Sequence, residues 1–314
     1  MKKKLVAGAV TLLSVVTLAA CANGTNKDIV TMKGDTITVS DFYDEIKTNQ
    51  GAQQVLFQMT INKVFEKEYG SKVSDKEVDK ELAKQKKQLG NQFDAYLAQQ
   101  GLTEETAKKQ IRSNMLLEYA VNQAAKKDIK EPDYKAAFES YTPEVTAQII
   151  KLDSEDKAKE VLEAAKAEGA DFAQIAKDNS TDTATKDKGG EVKFDSGTAG
   201  IPSQVKEAAF KLDENGISDV ITVSAGQNYS ASYYIVKLNK KTEKGSDWKK
   251  YEKRLKEIIV DGRKQDTNYI RSIIAKAMTN ANIKVKDDAF KSTFNQYLQN
   301  IGVQTSDSSS SSKK

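Results

Sequence analysis

The apolar positions along the chain follow successive patterns, and each predicts a different kind of element. Residues 28–39 alternate around a central glycine, which predicts a β-hairpin. From residue 40 to about 130 the apolar positions recur with helical spacing, which predicts a set of amphipathic helices. Ser74 followed by Glu77 forms a capping box and predicts a helix start, and Gly101 predicts the end of the same helix.

Pro132 and Pro143 mark a boundary, because the residue before a proline is driven out of the helical region. Beyond them the pattern of apolar positions is of another type. The sequence beyond them predicts a buried strand at 145–152, helices at 154–168 and 203–211 with a short helix and a Gly-Gly loop between them, and strands at 219–223 and 232–238. Strands and helices mixed over so short a stretch predict a small α+β domain.

Helical spacing returns after Lys240 and continues towards the end of the chain. Since both flanks of the middle segment are helical, the sequence predicts one discontinuous helical domain, residues 28–142 and 241–304, with an α+β domain of residues 143–240 inserted into it. The remaining residues, 305–314, are rich in serine and predict a disordered tail.

The chain begins with a leader. A basic stretch, Lys2–Lys4, precedes an apolar run that is shorter than the roughly 20 residues needed to span a bilayer, which predicts a signal peptide over residues 1–20. The leader ends in Leu-Ala-Ala-Cys, which resembles the bacterial lipobox. That resemblance implies cleavage before Cys21 and acylation of its thiol, with a palmitate-type anchor and a short lipidated tether over residues 21–27. Two acyl chains hold a protein stably on a membrane.

Composition excludes several kinds of chemistry. The chain contains no histidine and one cysteine, which removes imidazole acid–base catalysis, histidine-based triads and most transition-metal sites. No metal and no cofactor are therefore expected. Without the three leader lysines, 46 of the 49 basic residues remain against 45 acidic ones, so the mature chain is close to neutral and no nucleic-acid partner is indicated.

Four motifs of the middle segment resemble a parvulin-type peptidyl-prolyl isomerase (rotamase) domain. They are DFAQIAKDNSTD, KGGEV, EAAFKL and GISD, in this order. Joined to a lipobox and helical flanks, they make the chain similar to the PrsA-type foldases, surface lipoproteins of Gram-positive bacteria. The resemblance implies an α+β fold in which a discontinuous, mostly helical chaperone domain carries an inserted parvulin-like domain.

The same resemblance implies a function, a location and partners. It implies a foldase held on the extracytoplasmic face of the cell membrane, where it assists the folding of secreted proteins after translocation. The implied partners are unfolded secreted polypeptides, and the membrane through the lipid on Cys21. The sequence leaves open whether the protein forms a homodimer.

The resemblance also carries family site positions onto this chain. Two histidines that face each other in the family fall on Gln148 and Tyr234, and the family acid falls on Asp182. We expect the amide of Gln148 to replace an imidazole as a hydrogen-bonding group towards Asp182 or Tyr234. These residues are then either a catalytic site or its vestige, and whether the chain is an enzyme is left open because both histidines are missing.

The family proline pocket corresponds to apolar residues of smaller size. Ile201 and Val205 stand where the family has a methionine and a phenylalanine, and Phe194 stands where it has a tryptophan.

Three functions therefore compete. The chain is an isomerising foldase, or a non-catalytic holdase whose parvulin-like domain only binds clients, or a solute-binding lipoprotein, which would need two α/β lobes around a cleft.

Overall fold

The computed structural model of the chain describes residues 27–224 and 231–298. The first part of the chain forms β1 (Asp28–Met32), β2 (Asp35–Thr38), α1 (Val39–Ile46), α2 (Gln50–Tyr69), α3 (Asp75–Leu89), α4 (Phe93–Gln99), α5 (Glu104–Lys127) and α6 (Glu131–Ser140). The middle forms β3 (Val145–Leu152), α7 (Glu155–Lys166), α8 (Phe172–Asn179), β4 (Glu191–Phe194), α9 (Ser203–Lys211), β5 (Ile221–Ser224) and β6 (Ala231–Lys241). The last part forms α10 (Glu252–Gln265), α11 (Thr267–Asn280) and α12 (Lys291–Leu298).

The described residues divide into two compact units. Unit 1 consists of residues 27–64 and 275–298, and unit 2 of residues 65–274. The predicted domain boundaries near residues 142 and 240 stay predictions, because the units divide the chain at other places. The leader, Cys21 and the serine-rich tail lie outside the described residues. None of the described helices is both long and apolar enough to cross a membrane.

Unit 1 begins with the predicted hairpin, in which β1 and β2 pair antiparallel. Thr38 and Asp41 form a capping box at the start of α1, which fixes the turn from strand to helix. Packing across the unit joins its two chain segments: the rings of Phe57 and Phe294 meet edge to face with centroids 5.4 Å apart. Tyr43 Oη donates a hydrogen bond of 2.7 Å to Asp287 Oδ2.

The predicted capping box of Ser74 and Glu77 is confirmed at the start of α3. The predicted end of that helix at Gly101 is wrong, because α3 stops at Leu89 and a 3₁₀ turn leads from Gly90 into α4. Gly90 has φ +51°, a conformation that side-chain-bearing residues rarely adopt. Phe93 is buried like the core residues of α3, so both helices contribute to one core and the apolar spacing continues across the break.

The segment from Val145 to Lys241, here called the sheet module, confirms the predicted α+β class. Its four strands pair antiparallel in the order β4-β3-β6-β5. The predicted strand at 145–152 is confirmed at both ends. Strand β4 was not predicted, since its four residues directly follow the Gly-Gly turn and carry only two apolar side chains. The described residues form no second α/β lobe beside this sheet, and the solute-binding alternative would need two such lobes around a cleft.

Two cores lie on the two faces of this sheet. One face, here called the α9 face, packs against α9 through the buried residues Val145, Ala147, Ile149, Phe194, Val205, Ala209, Val236 and Leu238. The other, here called the α7–α8 face, packs through Ile150, Leu152, Ala158, Val161, Ala165, Phe172, Ala176 and Ile235. Because helices pack on both faces, the buried residues of the central strands β3 and β6 alternate between two cores.

Candidate functional site

The register of the two central strands decides which predicted site residues meet. Gln148 lies opposite Lys237, and Lys151 lies opposite Tyr234. Directly opposed residues of an antiparallel pair project to the same face, and successive residues alternate. Gln148 therefore projects with Ile150 to the α7–α8 face, whereas Tyr234 projects to the α9 face. The two positions do not face each other across the sheet.

Gln148 fastens the Gly-Gly turn to β3. Its Nε2 donates a hydrogen bond of 2.9 Å to the carbonyl oxygen of Gly189, and Ile149 N donates one of 2.8 Å to Gly190 O. Gly190 has φ +78°, and a Cβ placed there would lie 2.6 Å from the carbonyl oxygen of Ile149. Only glycine permits this close approach of two backbones. The amide of Gln148 is thus a structural anchor for the turn.

Asp182 organises the loop that leads into the same turn. Its Oδ2 accepts a hydrogen bond of 2.6 Å from Thr185 Oγ1, and its Oδ1 accepts one of 3.1 Å from Ala184 N. The carbonyl of Thr185 in turn accepts from Gly190 N at 3.0 Å. The expected hydrogen bonds of Gln148 to Asp182 or Tyr234 are therefore wrong among the described residues. Gln148 binds this loop from strand β3 and Asp182 binds it from within, but the two side chains do not bind each other.

The other four predicted site residues do come together, on the α9 face. Phe194 and Val205 are almost completely buried, at 1% and 0% exposure. Ile201 and Tyr234 are half-buried and pack against the same cluster. The buried pair supports this surface from below, and the half-buried pair is what a ligand could reach. The half-buried apolar residues that share this surface are Val192, Phe210, Leu212, Ile221 and Val223.

The sequence interpretation missed a buried charge at the edge of the sheet module. Asp195 directly follows β4 and is 5% exposed. Arg254 of α10 donates two hydrogen bonds to its carboxylate, from Nε to Oδ2 at 2.6 Å and from Nη2 to Oδ1 at 2.8 Å. Tyr141 Oη donates to Oδ2 at 3.1 Å, and Thr198 Oγ1 donates to Oδ1 at 2.8 Å. This cluster, here called the Asp195 clasp, joins the sheet module to α10.

The pKa values of the clasp follow from burial and hydrogen bonding. Burial by itself would raise the pKa of Asp195, but the hydrogen bonds from Arg254 and Thr198 outweigh it and lower the pKa to about 2. Burial raises the pKa of Tyr141 most, and the neighbouring Asp195 carboxylate raises it further. The hydrogen bond to Asp195 raises the pKa of Arg254. No sequence signal could have shown this clasp, because its two charges are far apart in the chain.

No metal centre is formed within the described residues, which bring together no group of three or more acidic, histidine or cysteine ligands.

Unit 1 contains a separate feature, an apolar groove with a cavity volume of about 720 Å³. Val55 and Met59 of α2 line it and are 60% and 51% exposed. The segment from Asn282 to Asp287 also lines it. A contiguous patch of exposed apolar side chains on a folded surface often marks a binding site.

Comparison with known proteins identifies the class and then the family. The model of the PPIC-type PPIASE domain, a rotamase, matches residues 141–240, so the sheet module is a peptidyl-prolyl isomerase domain of the parvulin type. The chain is 62% identical over 302 residues to the foldase protein PrsA of Streptococcus sanguinis, which covers 96% of this chain and 90% of that protein. It is 60% identical over 315 residues to the foldase protein PrsA of Streptococcus gordonii, with 100% of both covered.

A solved structure agrees with these relatives. The crystal structure of foldase protein PrsA from Streptococcus pneumoniae superposes with a TM-score of 0.78 at 55% identity, covering 86% of this chain and 99% of that one. The chain therefore belongs to the PrsA foldase family.

Proposed function

We propose that this chain is a membrane-anchored foldase that works on the extracytoplasmic side and holds exported polypeptides while they fold. The observation that carries the proposal is the apolar groove of unit 1. Its wall residues Val55 and Met59 are more than half exposed, and so is Phe42 of the neighbouring helix α1. Ile29 and Met32 of β1, each 51% exposed, add to the accessible apolar surface of the unit.

An open apolar surface of this kind suits weak and reversible binding of unfolded chains. Each exposed apolar side chain gains on burial by roughly 25 cal/mol per Å², without requiring a particular client sequence. Methionine adds adaptability because its unbranched side chain fits partners of different shape. A groove that is open to solvent also lets a client leave once its own apolar residues are buried.

Suppression of aggregation by the full chain tests this proposal. We expect the double variant Val55→Ser/Met59→Ser to suppress the aggregation of a chemically unfolded reporter protein much less than the parent chain, measured by light scattering. Tyr96→Ser is the matched control, because Tyr96 is also exposed, at 45%, but lies on α4 of unit 2. Equal suppression by both variants would remove the groove from the proposal.

The anchor and the location rest on the leader and Cys21. A lipobox cysteine carrying two acyl chains would keep the mature chain at the outer face of a Gram-positive cell membrane. Growth with a labelled palmitate analogue should label the parent chain and place it in the membrane fraction. Cys21→Ala should lose the label and appear in the medium or in uncleaved form. An unlabelled parent chain in the membrane fraction would contradict the proposed acylation.

A second function, isomerisation of prolyl bonds by the sheet module, is favoured by the half-buried apolar surface around Ile201 and Tyr234. With no imidazole present, this surface would act by desolvating the twisting amide and by hydrogen bonding, which gives weak catalysis. Exchange NMR on a proline tetrapeptide should show faster isomerisation with the parent chain and slower isomerisation with Tyr234→Phe.

Tyr233→Phe is the matched control for this measurement, because Tyr233 packs against the α7–α8 face. Asp182→Ala serves as a second variant that disturbs only the loop. If the parent chain leaves the exchange rate at its uncatalysed value, the module holds clients without turnover, and the holdase function remains.

A further inference from the structure

One wall of the unit 1 groove is a short stretch of chain that is neither helix nor paired strand. Residues 283–286, Ile-Lys-Val-Lys, form no helix, turn or bend. All four line the groove. Ile283 and Val285 are half-buried, while Lys284 and Lys286 are exposed. This alternation with a period of two is that of a β-strand with one face on an apolar surface.

The backbone of this stretch is paired at one end only. Ile283 N donates a hydrogen bond of 3.2 Å to the carbonyl of Met278. Lys284, Val285 and Lys286 form no backbone hydrogen bond with any described residue. In an extended chain the N–H and C=O groups of alternate residues point to the same edge. The alternation in burial indicates an extended stretch, in which Lys284 and Lys286 share the edge opposite to that of Ile283 and offer two donors and two acceptors there.

Two cationic side chains, those of Lys284 and Lys286, lie beside this free edge, and the nearby carboxylate of Asp287 already accepts hydrogen bonds from Tyr43 and Ala289. Neither Lys284 nor Lys286 forms an ion pair with a described acidic residue, and both are exposed to solvent. A strand paired with this edge would place its inward residues in the groove and its outward residues next to the two ammonium groups. Apolar residues fit the inward positions, and acidic residues fit the outward ones.

We propose that residues 283–286 recruit an unfolded client as an added β-strand, with apolar client residues in the groove and acidic client residues beside Lys284 and Lys286. This inference rests on the proposed holding function and names the class of segment that the groove takes. Strand addition supplies main-chain hydrogen bonds that are independent of client sequence, and the alternating pockets and charges supply the preference.

The test uses the full chain and a labelled peptide of alternating valine and glutamate, four Val and three Glu, with blocked ends. Fluorescence anisotropy should show saturable binding. Methylating the backbone nitrogens of either the Val set or the Glu set removes the donors from one edge of the peptide and leaves its side chains intact. We expect one of the two methylated peptides to lose about tenfold or more in affinity and the other to bind like the parent.

The charge preference is tested with Lys284→Glu/Lys286→Glu. This variant should bind the glutamate peptide about tenfold more weakly and should gain affinity for a peptide of alternating valine and lysine. Lys47→Glu is the control, because Lys47 belongs to the same unit but already pairs with Asp44.

Three outcomes would overturn the inference while leaving the holding function in place, provided that the parent chain still suppresses aggregation. They are equal affinity of the two methylated peptides, no effect of charge reversal, and dimerisation of the chain through this edge so that the peptide is excluded. If the parent chain fails to suppress aggregation at all, the proposed function falls instead.

Discussion

Replacing Arg254 with alanine should lower the free energy of unfolding of unit 2, because it leaves the Asp195 carboxylate buried without its main partner. Removing one member of a buried ion pair costs about 3–5 kcal/mol. The side chain of Asp195 is 7% exposed but that of Arg254 is 33% exposed, so water reaches one side of the pair. Donors also remain on Tyr141 and Thr198. We therefore expect a loss of about 2–3 kcal/mol, below the full range for a dry pair.

The same pair predicts how stability depends on pH. The pKa of Asp195 falls from an ordinary value of 3.8 to about 2 on folding. A group with a lowered folded pKa contributes stability above its unfolded pKa and loses that contribution as the pH falls through its folded pKa. At 1.36 kcal/mol per pH unit, Asp195 contributes about 2 kcal/mol above pH 4, and this is lost between about pH 4 and pH 2.

Urea unfolding followed by tryptophan fluorescence measures both effects. The chain has one tryptophan, Trp248, whose ring stacks on Tyr134 with centroids 5.1 Å apart. Both rings belong to unit 2, so the signal reports on the unit that contains the clasp. Lys256→Ala is the matched control on the same helix, since Lys256 is exposed and should change stability by no more than about 0.5 kcal/mol.

Two results would refute this reasoning. One is a destabilisation by Arg254→Ala that equals that of Lys256→Ala. The other is a double-mutant cycle of Asp195→Ala with Arg254→Ala in which the two changes simply add, because residues in direct contact should couple. A difference between the parent chain and Asp195→Asn that does not shrink below pH 4 would separately contradict the lowered pKa.

Three further changes test the local structure by thermal unfolding. Gly190→Ala should lower the free energy of unfolding by about 2–4 kcal/mol, since its Cβ would meet the carbonyl of Ile149. Gly200→Ala is the control, because Gly200 also has a positive φ but has nothing within 4 Å, and it should lower the free energy of unfolding by about 1 kcal/mol. Equal effects of the two variants would contradict the close approach at Gly190. Gln148→Ala should cost about 1 kcal/mol and speed amide hydrogen exchange in the Gly-Gly turn, and unchanged exchange would show that the amide does not hold it. Ser74→Ala should cost about 1 kcal/mol through loss of the helix cap, and a neutral change would argue against that cap.

Local signals in the sequence predict most of the elements. Strand β3 is a run of apolar and β-branched residues after a proline, and its observed bounds are those predicted. The capping box at Ser74 depends on two residues three positions apart, so it is also readable. The sequence does not predict the end of α3 at Gly90, because the apolar spacing continues through it and only the positive φ of the glycine interrupts the helix.

The arrangement of the candidate site depends on features that are not local. The faces of Gln148 and Tyr234 follow from the register of β3 against β6, and a shift by one residue would exchange the faces. The pairing itself contains an irregularity between Thr146 and Ala147. The Asp195 clasp likewise joins residues that only the tertiary fold brings together. The transfer of family positions onto this chain stays a prediction, and the sequence could not show which of those residues meet or what they bind.

The two ends of the sheet module lie side by side. Val145 is paired with Lys241 across the central strands. A segment that enters and leaves a protein at neighbouring positions leaves almost no gap when it is removed. A transplant of this segment between relatives would therefore need no new linker. The Asp195 clasp limits such an exchange, because Arg254 of α10 must still meet a carboxylate from the transplanted segment.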